Sequence, residues 1–181
     1  LVFTDQRRGQ FLPELTALLY SGGNRVDQKF PAQIASQLLA QYFECGDLAD
    51  KDTGFRLSDY QTADGGIALL PYGSSDSNIS ALIGAMSPEG IDVNRIKQYL
   101  YTQLYDDTLP SLKGNALYAL AALKEPVLLD IEKAAQAENM DVTDAVFLAL
   151  AYCELGEQTK AEELFNEKIM TKAQDYSPYL R

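Results

Sequence analysis

The chain has 181 residues and a mass of 20.0 kDa, enough for one sizeable hydrophobic core and, by default, one domain. Acidic residues outnumber Lys and Arg 26 to 15, a net charge of −11 with no basic run, so nucleic acid and anionic membrane surfaces are poor partners. Histidine is absent, which removes the usual general base near neutral pH and the commonest zinc ligand; Cys45 and Cys153 are too few for a disulfide framework and fall in helical patterns, predicting two buried thiols.

No apolar run reaches the roughly 18–20 residues that cross a bilayer, and Leu1-Val2-Phe3-Thr4-Asp5 lacks the form of a signal peptide. The expectation is a soluble segment without membrane insertion. Leu1 stands where an initiating methionine would, so the chain reads as one domain, 1–181, and as a fragment of a larger protein.

In chain order, a first helix is predicted from about Gly9 to Tyr20, with Leu12, Leu15, Leu18 and Leu19 on one face and Ser21-Gly22-Gly23 ending it. A second, from Val26 or Phe30 to Cys45, places Ile34, Leu38, Tyr42 and Cys45 at helical spacing, with Pro31 in a first turn. Asp47 to Gly54 is a polar connection. Phe55, Leu57 and Tyr60 suggest a short third helix, ended by the Asp64-Gly65-Gly66 turn, after which Ile67 to Gly73 crosses as an extended segment.

Asp76 or Ser77 caps a fourth helix over 78–86, and Asp92 caps a fifth with Val93, Ile96, Leu100 and Leu104 in one stripe. Helix 111–123 is largely apolar, helix 127–137 one-sided, a second apolar helix is opened by Asp141 with Asp144 and closed by Gly156, and helix 157–171 is one-sided. Asn115 to Leu123 and Asp144 to Tyr152, 29 residues apart, read as one helix written twice. Each is apolar all round, so each is expected to be covered on nearly every side. About nine helices, no convincing β-sheet and an alternation of enclosed with one-sided helices predict an all-α fold with an inner layer wrapped by an outer one. Closed rings and open solenoids both meet that description.

Three segments resemble a known family. Leu12-Pro13-Glu14-Leu15-Thr16-Ala17-Leu18-Leu19-Tyr20, Asn24-Arg25-Val26-Asp27-Gln28 and a helix with Ser36, Leu38 and Leu39 resemble the start of the thioester-containing domain of bacterial alpha-2-macroglobulins. Gln61-Thr62-Ala63-Asp64-Gly65-Gly66-Ile67-Ala68 is similar to that domain's Gln-x-x-x-Gly-Gly-Phe turn, and Ser77-Asn78-Ile79-Ser80-Ala81 to the helix after it. Ala149-Leu150-Ala151-Tyr152, Leu155-Gly156 and Lys160-Ala161-Glu162-Glu163-Leu164 are similar to a late helix pair.

The resemblance implies an α/α toroid, here an incomplete ring, within an extracellular or cell-surface protein. Family members with the intact Tyr-Pro-Tyr-Gly-Cys-x-Glu-Gln motif join Cys to Gln in an internal thioester that acylates an attacker, chemistry that needs a thiol as leaving group. Here Arg25 stands at the Cys position, Asp27 at the Glu and Gln28 at the Gln, with Val26 between, and the nearest thiol is Cys45. The Tyr-Pro-Tyr lead-in is replaced by Tyr20-Ser21-Gly22-Gly23, and the Trp usual near Asn78 is missing. Some family members lack the thioester. The implied function is therefore a non-catalytic interaction or structural module that needs no cofactor. Its partners would be other domains of the parent chain or a protease held without covalent capture.

Other constellations are weaker. Asp106-Asp107 matches neither aspartate-rich motif of terpene cyclases, and a protein prenyltransferase zinc site would need a His. Asp47, Asp50 and Asp52 miss the spacing of a calcium loop, and Gly65-Gly66 lacks the Lys and Ser or Thr of a P-loop, leaving it the role of a positive-φ turn at a helix crossing. Among the tyrosines, Tyr99, Tyr101 and Tyr105 are the candidates for an exposed protein-binding surface. The alternative function is a tetratricopeptide-like solenoid that binds peptides or proteins. Ala149 to Tyr152 with Gly156 and Ala161 suits it, but the 29-residue spacing is short of the roughly 34 of that repeat, and the preceding pair has no Gly at the matching place.

Overall fold

The computed structural model describes residues 8–43, 54–86, 89–106, 113–137 and 140–172, and these are mainly helical. A 3₁₀ turn over Gly9–Phe11 leads into α1 (Leu12–Leu19), and α2 spans Val26–Phe43. After a second 3₁₀ turn, Leu57–Tyr60, the strands β1 (Ile67–Ala68) and β2 (Ser75–Asp76) pair antiparallel, Ile67 opposite Asp76 and Ala68 opposite Ser75. The helices α3 (Ser77–Ala85), α4 (Val93–Tyr105), α5 (Lys113–Ala122), α6 (Leu128–Ala135), α7 (Val142–Glu154) and α8 (Gln158–Leu164) follow, and α8 continues as a π-helical stretch, Phe165–Met170.

The packing makes two layers. α5 lies between α3 and α7; α4 rests on α3 and α5, α6 on α5 and α7, and α8 on α7. Of the two helices that the apolar patterning expects to be enclosed, α5 is, and α7 is so only in part. The difference between inner and outer helices follows from side-chain periodicity: α5 buries Gly114, Ala116, Leu117, Leu120 and Ala121 and can only sit inside, whereas α6 fully buries Ile131 alone.

Local signals set the helix ends. The Asp76 carboxylate accepts from Ile79 N–H at 2.9 Å and the Asp92 carboxylate from Asn94 and Arg95 N–H at 3.0 and 3.2 Å, each satisfying donors a first turn leaves open. At the far ends, Glu157 N–H reaches Tyr152 O and Glu125 N–H reaches Leu120 O, both at 2.9 Å, the six-to-one closure of a helix whose next residue turns left-handed. In α7 that residue is Gly156, φ +81°; in α5 it is Lys124, φ +63°. The two helices thus end alike, although only one carries the glycine.

Several expectations change. α2 begins at Val26 and runs through Pro31, which is inside the helix and not in its first turn, so the carbonyl of Asp27 has no N–H four residues on. Its buried line is Val26, Phe30, Ala35 and Leu39; Ile34 and Leu38 are half-buried and Tyr42 exposed. α1 buries none of its leucines fully. The extended crossing after Gly66 is a two-residue hairpin arm followed by a turn in which Gly73 N–H donates to Leu70 O at 2.9 Å. α7 is not covered on every side. Val146, Leu150 and Cys153 are exposed, so Cys153 is a free, accessible thiol and not a buried one, because that face lines an open groove beside α8 and the π-helical stretch. Cys45, Asp47, Asp50, Asp52 and Asp107 lie outside the described residues.

Candidate functional site

The two segments separated by some forty residues of sequence that suggested a family meet in space. Val26 N–H donates to Leu69 O at 2.9 Å and Tyr60 O–H to Asn24 O at 2.7 Å, so the start of α2 is tied to the strand that leaves the Gly65-Gly66 turn. Val26 is fully buried beneath this junction.

Around it, Arg25 folds onto Asp27 as a bidentate pair, Nε to Oδ1 at 3.0 Å and a terminal nitrogen to Oδ2 at 2.7 Å. The Asp27 carboxylate raises the Arg25 pKa above its ordinary value, but both groups face solvent, so the pair is an electrostatic surface feature and not a core element. Gln28 is half-buried, and its amide oxygen lies against Gly23, where a Cβ would come within 1.9 Å. Arg25, Val26, Asp27 and Gln28 therefore stand together at the start of α2, with the Arg25–Asp27 pair outward and Val26 inward.

The Asp64-Gly65-Gly66 turn is the most densely hydrogen-bonded part of the site. Ser75 Oγ donates to Asp64 Oδ2 at 2.6 Å, Gly66 N–H to Oδ1 at 3.1 Å, and the Thr62 hydroxyl also bonds this carboxylate. Burial pushes the Asp64 pKa up, but the donors from Ser75, Thr62 and Gly66 outweigh it and hold the carboxyl below its ordinary range. Gln61 clasps the start of α4: its amide nitrogen donates to Gly65 O at 3.1 Å and Asp92 O at 3.0 Å, while Asp92 N–H donates to Gln61 Oε1 at 2.8 Å. Arg95 donates back to Thr62 O at 2.9 Å and Ala63 O at 2.7 Å.

The two glycines serve different needs. Gly65 has φ +94°, as expected for such a turn, and a Cβ there would also meet Arg95 O at 2.4 Å. Gly66 lacks a positive φ; it is required because a Cβ would strike Ser75 Cβ at 2.6 Å and the Tyr99 ring at 2.8 Å. Ser80, fully buried, accepts from Ile67 N–H at 2.7 Å and donates to Asp76 O at 2.6 Å, fixing the strand to α3.

The aromatic surface is smaller than the sequence suggests. Tyr99 is buried under Gly66, next to Ser75 and Ser80, and burial raises its pKa; it belongs to the core and not to a recognition face. Tyr101 is half-buried and donates to Glu125 Oε2 at 2.9 Å, while Lys97 pairs with Glu125 Oε1 at 2.7 Å. Burial and the neighbouring Glu125 carboxylate push the Tyr101 phenol up to about 12. Tyr105, 65 % exposed, stacks on it with ring centres 6.2 Å apart and planes 9° from parallel. Only this pair remains of the three.

At the N-terminal ends of the inner helices the Asn115 amide donates to Asn78 Oδ1, and Asp144 accepts from Gly114 N–H. This row of polar groups crosses α3, α5 and α7, and no sequence motif announced it. Among the described residues no cluster of three or more acidic or thiol side chains is arranged to hold a metal ion, and no helix is long and apolar enough to cross a membrane. No family model matches this chain, and no curated protein or solved structure is significantly similar to it.

Proposed function

We propose that this chain is a non-catalytic interaction module, built on the plan of the toroid domain of alpha-2-macroglobulin-like proteins and without the thioester. The observation that carries the reading is the junction itself. The segment resembling the thioester motif begins α2 and is bonded through Val26 to Leu69, just after the segment resembling the Gly-Gly turn. The alternation of inner and outer helices from α3 to α8 is compatible with a ring that this chain only partly completes. In this reading the parent protein is extracellular or at a cell surface, and its targets, a protease among them, are held by surface contact alone.

Arg25 supports the non-covalent part. A guanidinium can neither be acylated stably nor leave as a thiolate, and its two bonds to Asp27 keep it in place. Treatment with methylamine should therefore leave the intact mass unchanged; an adduct mapped to Gln28 would refute the reading. Mixed with active proteases, the chain should form at most complexes that dissociate fully in boiling detergent under reducing conditions, and a resistant band joining chain to protease would count equally against it.

A further inference from the structure

Between α6, α7 and α8 lies a pocket of about 440 Å³. Ala135 and Gln136 at the end of α6, Tyr152 of α7 and Leu164 of α8 form its walls, and Glu132, Lys160, Glu163 and Glu167 bring charge to it. Lys160 is already engaged: its ammonium bonds Glu132 Oε1 at 2.6 Å, reaches Glu157 Oε2 at 3.4 Å and lies 6.0 Å from the centre of the Tyr152 ring. Glu163 and Glu167, four residues apart, both line the pocket, and neither has an ion pair among the described residues. Like charges at that spacing repel, so the pocket keeps a place for a cation that Lys160 does not fill.

An acidic wall by itself is only a solvated surface; Tyr152 adds what it lacks. The residue is 4 % exposed, yet its hydroxyl has no hydrogen-bond partner among the described residues, whereas the phenols of Tyr60 and Tyr101 each have one. Every fully enclosed side-chain oxygen and nitrogen among those residues is partnered, so the Tyr152 hydroxyl opens to the pocket and not into the core. Burial, then the Glu132 carboxylate, raises its pKa, so the phenol stays protonated and offers a donor and an acceptor together. Holding such a group nearly dry and unbonded costs free energy that a ligand in the pocket recovers.

We propose that this pocket binds a cationic head, guanidinium or ammonium, on an alkyl stem, as carried by a basic residue of a polypeptide or by a free polyamine. The head lies between Glu163 and Glu167, which the fork of a guanidinium spans best. The stem runs over Leu164 and Ala135. Tyr152 O–H and the Gln136 amide bond the polar groups beside the stem, a peptide unit or a secondary amine. The inference rests on this pocket alone and does not depend on the family reading.

Titration of the intact, isotope-labelled chain with Nα-acetylarginine N-methylamide, its citrulline counterpart and spermidine, followed by NMR, tests it. At least one of the two cations should move the amide signals around Gln136, Tyr152 and Glu163 and saturate at about millimolar concentration, and the uncharged citrulline compound should not. Which cation binds identifies the source. Tyr152→Phe should weaken binding about three- to tenfold and melt no lower than the wild-type chain, because the hydroxyl bonds nothing within the fold. Glu163→Gln, on the exposed rim, should weaken it about two- to fivefold, and it stands in for Tyr152→Phe if that variant fails to fold. Absence of saturable shifts with either cation, shifts spread over the whole acidic surface, equal binding of the citrulline compound, or binding that either folded variant leaves unchanged overturns the proposal.

Discussion

The carbonyl oxygen of Arg95 stands where the side chain of any residue other than glycine at position 65 would begin, 2.4 Å from the ideal Cβ. Arg95 in turn donates to Thr62 O and Ala63 O, so the turn and the first turn of α4 hold each other at backbone contact distance.

Gly65→Ala should therefore be costly twice over, through its left-handed φ of +94° and through the clash with Arg95 O, about 2–4 kcal/mol together. Gly90, at φ +92° with nothing near its Cβ position, isolates the first effect, and Gly90→Ala should cost only about 1–2 kcal/mol. Urea denaturation of both variants measures the difference.

Asp64 makes the turn sensitive to acid. Its folded-state pKa lies below its unfolded value of about 3.9, so its contribution is complete above that value and is lost as pH falls through the lowered one. Asp64→Asn should lower the melting temperature at pH 7 and flatten its decline below pH 4. Equal acid limbs for the two proteins would contradict this.

Asp144 has the opposite sign. Burial, helped by the nearby charge of Asp141 and only partly offset by Gly114 N–H, raises its folded pKa. The unfolded chain then gives up this proton first, so stability falls as pH rises from about 3.9 to the raised value and stays reduced above it. Asp144→Asn keeps the acceptor for Gly114 and removes the charge. Thermal melts at pH 7 should show the variant more stable than the wild-type chain, with the gain vanishing near pH 3.

Lys124 holds a left-handed φ of +63° that glycine adopts without strain. Its ion pair with Glu154, 3.0 Å long, is exposed and contributes little. Lys124→Gly should thus stabilise the chain by about 0.5–1 kcal/mol, a rise of about 1–4 °C in Tm by calorimetry.

Legibility in the sequence depended on how local each cause is. The caps at Asp76 and Asp92, the left-handed turns at Gly65 and Gly156, and the enclosure of α5 follow from neighbours in the chain, and the patterning showed them. Tyr99 and Cys153 depart from their patterning because their exposure is decided elsewhere: the Gly66 turn lies over Tyr99, and Cys153 lines a groove left open among the described residues. The left-handed end of α5 was hidden because lysine is no signal for that conformation. The necessity of Gly66 comes from the approach of Tyr99 and Ser75, residues that the sequence places well apart from it.

The polar row formed by Asn78, Asn115, Gly114 and Asp144 also has a mechanical side. Apolar ridges alone would let parallel rods creep past one another by a helical pitch, about 5.4 Å, at modest loss. Such a slip would strand the largely enclosed amide of Asn115 with no mate. Under tension the inner rods are therefore expected to resist shear and then yield abruptly, one latch at a time, rather than stretch by degrees.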